Sequence, residues 1–261
     1  PAEKEHPYPL VLVHGGGGQA TDWFSTPDGR DGWRDYFLAA GFDVYWIDRP
    51  GYGRSPTHAS YGELGGSASS GLISFLATAD HWPGDLSDTD QNLLNWLASS
   101  PPGPAASNDI AGTDLSLLLE RIGPSIVITH SAGGPTGWLA NEANSENVAG
   151  IIAIEAAGSN MLDEGTRESM SFSPALSANF ASVSDADGCA MQSQGSVSQL
   201  TNLAGKAVAM VGSERGLTQV LNMECGTKVL RQAGVDASFI YLPDLGLNGN
   251  GHFMMAETNS H

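Results

Sequence analysis

The sequence predicts an α/β fold, a mostly parallel central sheet flanked by helices with insertions above it, and three observations carry that prediction. Short apolar runs bounded by Gly, Asp or Ser alternate with amphipathic stretches from Tyr8 to Leu242, the rhythm that a parallel sheet with crossover helices requires. A β-branched run, Ser125 to Thr129, opens directly into small residues and then into a helical pattern. The chain has 261 residues, 41% of them hydrophobic, enough to bury one sizeable core, and α/β folds of this length routinely remain one domain. One catalytic domain over 1–261 is therefore expected.

Taken in order, Tyr8 to His14 reads as a buried strand, Gly32 to Ala40 as a helix and Phe42 to Ile47 as a second strand ending at Asp48. Together they make one βαβ unit. From 51 to 107 the chain is rich in Ser, Gly, Pro and Asp, with helical spacing over Leu86 to Leu97. This reads as an excursion over the sheet, because a long structureless loop inside a compact domain is improbable. Thr113 to Ile122 is helical, stopped by Gly123 and Pro124. A strand at Ser125 to Thr129, a helix at Pro135 to Ala143 and a strand at Val148 to Ile154 follow. The rhythm then breaks between 159 and 203, where Met161, Met170, Phe172 and Phe180 stand isolated in mixed polarity; this is the expected lid. It resumes with a strand at Ala207 to Val211, a helix from Leu217 to Gln232 and a strand at Ala237 to Leu242. The chain stops soon after His252 without the final helix such folds usually carry, which reads as a truncated sequence.

Charge and cysteine content bound the function. With 29 acidic against 11 basic residues, net −18, the field repels nucleic-acid phosphates and anionic lipid headgroups, so neither is an expected partner. No run approaches the 18 apolar residues of a membrane span, and Pro1 to His6 lack the pattern of a signal peptide. Cys189 and Cys225 are an even pair in a Ser-, Gly- and Asn-rich, lysine-poor chain. They fit either one disulfide, worth about 4 kcal/mol in the loop-entropy model, or two unrelated buried thiols. The balance favours a secreted or periplasmic setting over a cytoplasmic one. Sequence leaves a homodimer open.

The chemistry-bearing residues begin at Thr129-His130-Ser131-Ala132-Gly133-Gly134, where a strand runs into small residues and a helix. This is the context of a nucleophile elbow, whose strained turn lifts a serine hydroxyl above the carboxyl end of the sheet. Thr129 stands where the short pattern usually has its first Gly. His14-Gly15-Gly16-Gly17-Gly18 follows the first strand; four glycines are costly unless backbone N–H groups must point into a site. The expected oxyanion donors are Gly16 and Ala132, with Gly17 the near alternative. A phosphate loop is disfavoured because no Gly-Lys-Ser/Thr follows. His252, in a Gly- and Asn-rich loop after the last strand, is the expected base. Position alone leaves Glu155 and Glu214 both open as the acid that orients it, since both follow strand ends, with the later strand the commoner source. No histidine pair has metal-ligand spacing, and no metal or other cofactor is expected. Trp23 and Phe253 are candidates to line an apolar substrate pocket. Asp48 and Arg54 are read as loop ties.

These segments resemble the α/β-hydrolase superfamily, and within it a bacterial esterase type whose triad acid is a Glu on the strand next after the nucleophile. The resemblance runs from Leu10-Val11-Leu12-Val13-His14-Gly15 through Thr26-Pro27-Asp28-Gly29-Arg30 with Gly32-Trp33, Ile47-Asp48, Gly53-Arg54-Ser55 and His130-Ser131, to Glu155 and Gly249-Asn250 with His252, Met254 and Met255. It implies Ser131, Glu155 and His252 as the triad. This sequence departs from the type where paired cysteines of the oxyanion loop are Gly16-Gly17 and a histidine is Asn248. The expected function is hydrolysis of an ester or lactone through an acyl-enzyme. Its rivals on the same scaffold are a non-hydrolytic lyase or cyclase and a small-molecule binding protein.

Overall fold

Six parallel strands form the sheet: β1 (Leu10–Val13), β2 (Val44–Ile47), β3 (Ser125–His130), β4 (Val148–Ile154), β5 (Ala207–Gly212) and β6 (Asp236–Tyr241). Their order across the sheet is β6-β5-β4-β3-β1-β2, and every neighbouring pair is parallel. The structure is a computed structural model that describes residues 5–62, 69–100, 106–177, 180–193, 195, 197–216 and 218–261. The expected α/β architecture is the one observed.

Seven helices accompany the sheet among the described residues: α1 (Trp33–Ala39), α2 (Ser69–Leu76), α3 (Gln91–Ser99), α4 (Asn108–Ile122), α5 (Gly134–Ala143), α6 (Glu164–Ser169) and α7 (Thr218–Gln232). Helix α4 starts five residues before the expected Thr113, because the Ser107 hydroxyl caps it by accepting the Ile110 N–H. Its mid-helix Gly112 allows α5 to come close; a Cβ there would lie 2.5 Å from Leu139 Cβ.

Strand side chains alternate between two apolar layers. On one face Val11, Val13, Val127, Ile151, Val208 and Met210 pack with Leu115, Leu119, Trp138 and Met223 of the helices. On the other, Leu10, Leu12, Ile128 and Ile154 pack with Leu72, Leu76, Trp82, Leu93, Trp96 and Phe253. In this second layer Leu72, Leu76, Trp82, Leu93 and Trp96 come from α2, α3 and the chain between them. That short helix α2 is invisible to sequence periodicity because Ser, Gly and Ala flank it.

In the segment 159–203, expected as a lid, α6 stands beside the start of α5, where Gly165 and Thr166 line a cavity with Pro135 and Trp138. The described part of the segment from 171 onward forms two short antiparallel pairs, Phe172–Ser173 with Gln199–Leu200 and Val183–Ser184 with Ala190–Met191. These are fastened to α5 and α7. Glu142 Oε2 accepts the Asn202 amide at 2.7 Å, Gln192 and Gln232 exchange hydrogen bonds of 2.9 Å, and Lys228 pairs with Asp185 at 3.0 Å. A disulfide joins Cys189 to Cys225 of α7. Glu142, Lys228 and Gln232 lie in the second halves of their helices, whereas Cys225 is at the middle of α7. The described residues from 171 to 203 are thus tied to α5 and α7.

Candidate active site

Two strained residues mark the carboxyl edge of the sheet. Ser131, after β3, has φ +49° and Glu155, after β4, has φ +45°, a region that non-glycine residues occupy only where the surroundings enforce it. At Ser131 the chain is held by the Gly134 and Ala157 N–H groups, which both donate to the Ser131 carbonyl. The small residues around it are sterically required. A Cβ on Gly133 would lie 2.5 Å from the His14 carbonyl oxygen, and one on Gly15 would lie 2.8 Å from His130 Nδ1.

Thr129, the departure from the usual elbow pattern, is accommodated from the helix side. A Cβ on Gly137 of α5 would stand 2.7 Å from Thr129 Cγ2, so the glycine that lets strand and helix meet lies on the helix here.

His252 Nε2 lies 2.8 Å from Ser131 Oγ, and its Nδ1 lies 3.4 Å from Glu155 Oε2. Both His252 and Glu155 are buried, at 2% and 0% exposure. The second carboxylate oxygen of Glu155 accepts the Ser213 N–H at 2.6 Å and its hydroxyl at 3.0 Å, which keeps the buried charge solvated by protein. Glu214, the alternative acid, is exposed and accepts the Gly249 N–H at 2.7 Å. It steadies the histidine loop without touching the imidazole.

That loop is held from three sides. Glu257, 1% exposed, accepts the Gly251 N–H at 2.8 Å and the Asn250 amide at 3.0 Å. Burial pushes its carboxyl up to about 7, against the lowering effect of those bonds. The Asp80 N–H donates to the Gly249 carbonyl at 2.8 Å. The buried His130 meets the His252 carbonyl through Nε2 at 2.8 Å; burial first, then the neighbouring His252, holds His130 well below its ordinary pKa. A carbonyl oxygen only accepts, so Nε2 carries a proton and donates. Phe75 of α2, half-buried, covers the His252 ring at 4.7 Å between centroids.

Gly16 stands beside the elbow, since a Cβ on it would be 3.3 Å from Ala132 Cβ. The loop behind it is organised by His14, which burial and then Arg49 push down to about 3. Arg49 Nη2 donates to the Gly15 carbonyl at 2.8 Å and Nη1 to the Ala132 carbonyl at 3.1 Å. Asp48 ties two loops, taking the Ala20 N–H at 2.7 Å and the Arg54 side chain at 2.8 Å.

Ser131, Glu155, His252, Gly16 and Ala132 are thus brought together at one edge. The two residues expected at a substrate pocket are both buried. Trp23 has no exposed surface and packs against Trp33 at 5.9 Å. Phe253 is 5% exposed, wedged among His252, His130 and Trp96. Sequence reasoning missed Arg49, Ser213, Glu257 and Phe75. Only Arg49 carries a local signal, a cation directly after a strand end at the edge where ligand chemistry gathers. Among the described residues no three His, Cys, Asp or Glu side chains converge as a metal site, and no helix is long and apolar enough to cross a membrane.

Comparison with known proteins adds to the geometry. A family model described as "alpha/beta hydrolase fold" matches residues 8–186. The chain is 30% identical to the "Probable secreted lipase phiG" of Fungal sp. (strain ATCC 74256), over 100% of this chain and 80% of that protein. A solved structure described as "a Novel Bacterial Esterase" superposes with a TM-score of 0.74 at 20% identity, covering 99% of this chain and 78% of the other.

Proposed function

Because this chain belongs to the alpha/beta-hydrolase family, we propose that it is a serine hydrolase of carboxylic esters or lactones working through an acyl-enzyme. The observation that carries this reading is the 2.8 Å approach of His252 Nε2 to Ser131 Oγ, on a turn strained at φ +49°.

Ser131 Oγ attacks the substrate carbonyl carbon as its proton passes to His252 Nε2. The buried Glu155 carboxylate fixes the proton of His252 on Nδ1 and stabilises the imidazolium that forms. The carbonyl oxygen becomes an oxyanion and accepts the Gly16 and Ala132 N–H groups. Collapse breaks the ester bond, and the leaving alkoxide takes the proton from His252. Water then repeats the sequence: it gives its proton to His252, attacks the acyl carbon, and Ser131 regains a proton as the acid leaves. A lactone follows the same steps and opens to a hydroxy acid. No step calls on a metal or organic cofactor.

The half-buried face of Phe75 above His252 gives the acyl or alcohol portion an apolar surface beside the reacting atoms. The Cys189–Cys225 disulfide and the likeness to a protein named as a secreted lipase support an extracytoplasmic location.

The test is turnover of p-nitrophenyl butyrate and covalent labelling by a fluorophosphonate. The parent protein should hydrolyse the ester and carry the label on Ser131. Ser131→Ala should keep its fold and lose at least about 10⁴-fold in kcat. Parent-like hydrolysis by that variant would remove Ser131 from the chemistry.

A further inference from the structure

Arg49 enters none of the steps above, yet it touches both arms of the pocket that receives the oxyanion. It lies just past β2, 4% exposed, and forms no ion pair among the described residues. Its guanidinium carbon sits 4.6 Å from the centroid of the Tyr52 ring. One end of the planar fork donates to the Gly15 carbonyl at 2.8 Å and the other to the Ala132 carbonyl at 3.1 Å. His14 Nδ1 reaches the same Gly15 oxygen at 2.8 Å. Its tautomer is fixed, because Nε2 accepts the Arg49 backbone N–H at 3.0 Å and Nδ1 must therefore be the donor.

Resting on the ester-hydrolase reading, we infer that Arg49, supported by His14, is the positioning residue of the oxyanion pocket and that it selects Gly16 over Gly17 as the glycine-loop donor. A trans peptide is planar, with its C=O and N–H pointing in opposite directions. The Gly15 carbonyl and the Gly16 N–H belong to one peptide, so two donors on that oxygen set the direction of that N–H. Donation to the oxygen also polarises the N–H and strengthens what it donates in turn. The Gly16–Gly17 peptide has no such clamp among the described residues. The Ala132 contact ties the same fork to the elbow, so one rigid group fixes the separation of both arms. An ammonium cannot copy this, because it lacks a planar pair of donors. The unpaired cation further biases the local potential toward negative charge as it develops on the substrate.

The experiment measures kcat per active site, counted by fluorophosphonate titration, together with KM and inhibition by an alkylboronic acid, for the parent, Arg49→Lys and Arg49→Met. A loss of folding lowers the titrated sites and leaves the turnover of each one unchanged, so it does not imitate a positioning defect. The expected result is a fall in kcat per titrated site of about tenfold for Arg49→Lys and about a hundredfold for Arg49→Met, below or near the loss from deleting an oxyanion donor outright. KM should stay near its parent value and the boronate should weaken by the same factor as kcat. Parent-like kcat per site in Arg49→Lys, which keeps charge and most of the volume, overturns the inference even if Arg49→Met does not fold. A structure of the parent boronate adduct should place its oxygen on the Gly16 N–H; an oxygen on the Gly17 N–H alone overturns the choice of donor. A parent protein that shows neither labelling at Ser131 nor ester turnover fails at the hydrolase reading, whatever the variants do, and the inference falls with it.

Discussion

Glu155 reaches His252 from the end of β4 with Oε2 3.4 Å from Nδ1, while its other oxygen is spent on the N–H and hydroxyl of Ser213. Glu214, two residues past β5, is engaged with Gly249 instead. The two carboxylates therefore differ in consequence. Glu155→Gln should lower kcat by about 10²- to 10⁴-fold, as expected when the group that holds the histidine tautomer loses its charge. Glu214→Gln should stay within about fivefold of the parent, because a surface hydrogen bond to one loop amide is worth only about 1 kcal/mol. Ser213→Ala, which keeps the backbone donor, should fall between them. Steady-state kinetics on one aryl ester separates the three, and a larger loss in the Glu214 variant than in the Glu155 variant would reverse the assignment of the acid.

The brace formed by 171–203 has a different signature. Its disulfide closes a loop between positions separated by 36 in sequence and fastens a hairpin to the middle of α7. The double variant Cys189→Ser with Cys225→Ser should lose about 4 kcal/mol of unfolding free energy in the loop-entropy picture. Its kcat at temperatures where it remains folded should be unchanged. Denaturant unfolding and ester turnover on the same preparation check both halves. A collapse of kcat in fully folded protein would mean that this segment reaches the active site after all.

Features legible in the amino-acid sequence are local, and those that escape it are long-range. Each strand of the sheet coincides with an apolar run, and Val148–Ile154 is observed with the bounds expected of it. Ser131 and Gly16 are legible because an elbow and a glycine loop each occupy a few consecutive residues. The choice between Glu155 and Glu214 is not legible from position, since both follow strand ends and only the fold decides which one meets residue 252. Trp23 shows the same limit from the other side. Aromatic character marks both cores and pockets, and burial at 0% becomes visible only once α1 and Trp33 are packed against it. Arg49 and Glu257 act through carbonyl and amide groups of other loops, contacts that a linear pattern does not show; at Arg49 only its place after a strand end is visible.

Glu257 gives the protein a pH dependence that can be isolated. Burial raises its carboxyl from an ordinary 4.5 to about 7 in the folded chain. A raised folded value means that the folded state holds its proton more tightly than the unfolded state. The associated stability is fully present below about pH 4.5 and is lost as pH rises through about 7. A shift of that size corresponds to about 3 kcal/mol at most. Glu257→Gln removes the titration, so the parent should lose stability relative to this variant as pH is raised from 5 to about 8. Asp22, raised to about 7 by burial as well, contributes equally to both proteins and cancels in the difference. Urea unfolding of the pair at the two pH values reads it directly. A parent-minus-variant difference that stays flat, or grows with pH, would contradict the assignment.

The last relationship to test is the exchange of size between Thr129 and Gly137. The strand residue is larger than the glycine usual at its place, and the helix residue opposite leaves room, with only 2.7 Å between a hypothetical Cβ on Gly137 and Thr129 Cγ2. Gly137→Ala alone must push α5 off β3 at the base of the elbow. It should cost about 1–3 kcal/mol, the usual range for overpacking a filled core, and should lower kcat because Ser131 rides on the same turn. Thr129→Gly alone opens a small cavity and adds backbone freedom to the strand, destabilising by its own route. Combining them restores the room that the added methyl needs, so the double variant should be more stable than the sum of the two losses by about 0.5–3 kcal/mol, the coupling expected of residues in direct contact. Denaturation of the four proteins in the cycle gives that coupling. Simple additivity would show that Thr129 and Gly137 do not compensate one another, and the tolerance of threonine at this elbow would need a different cause.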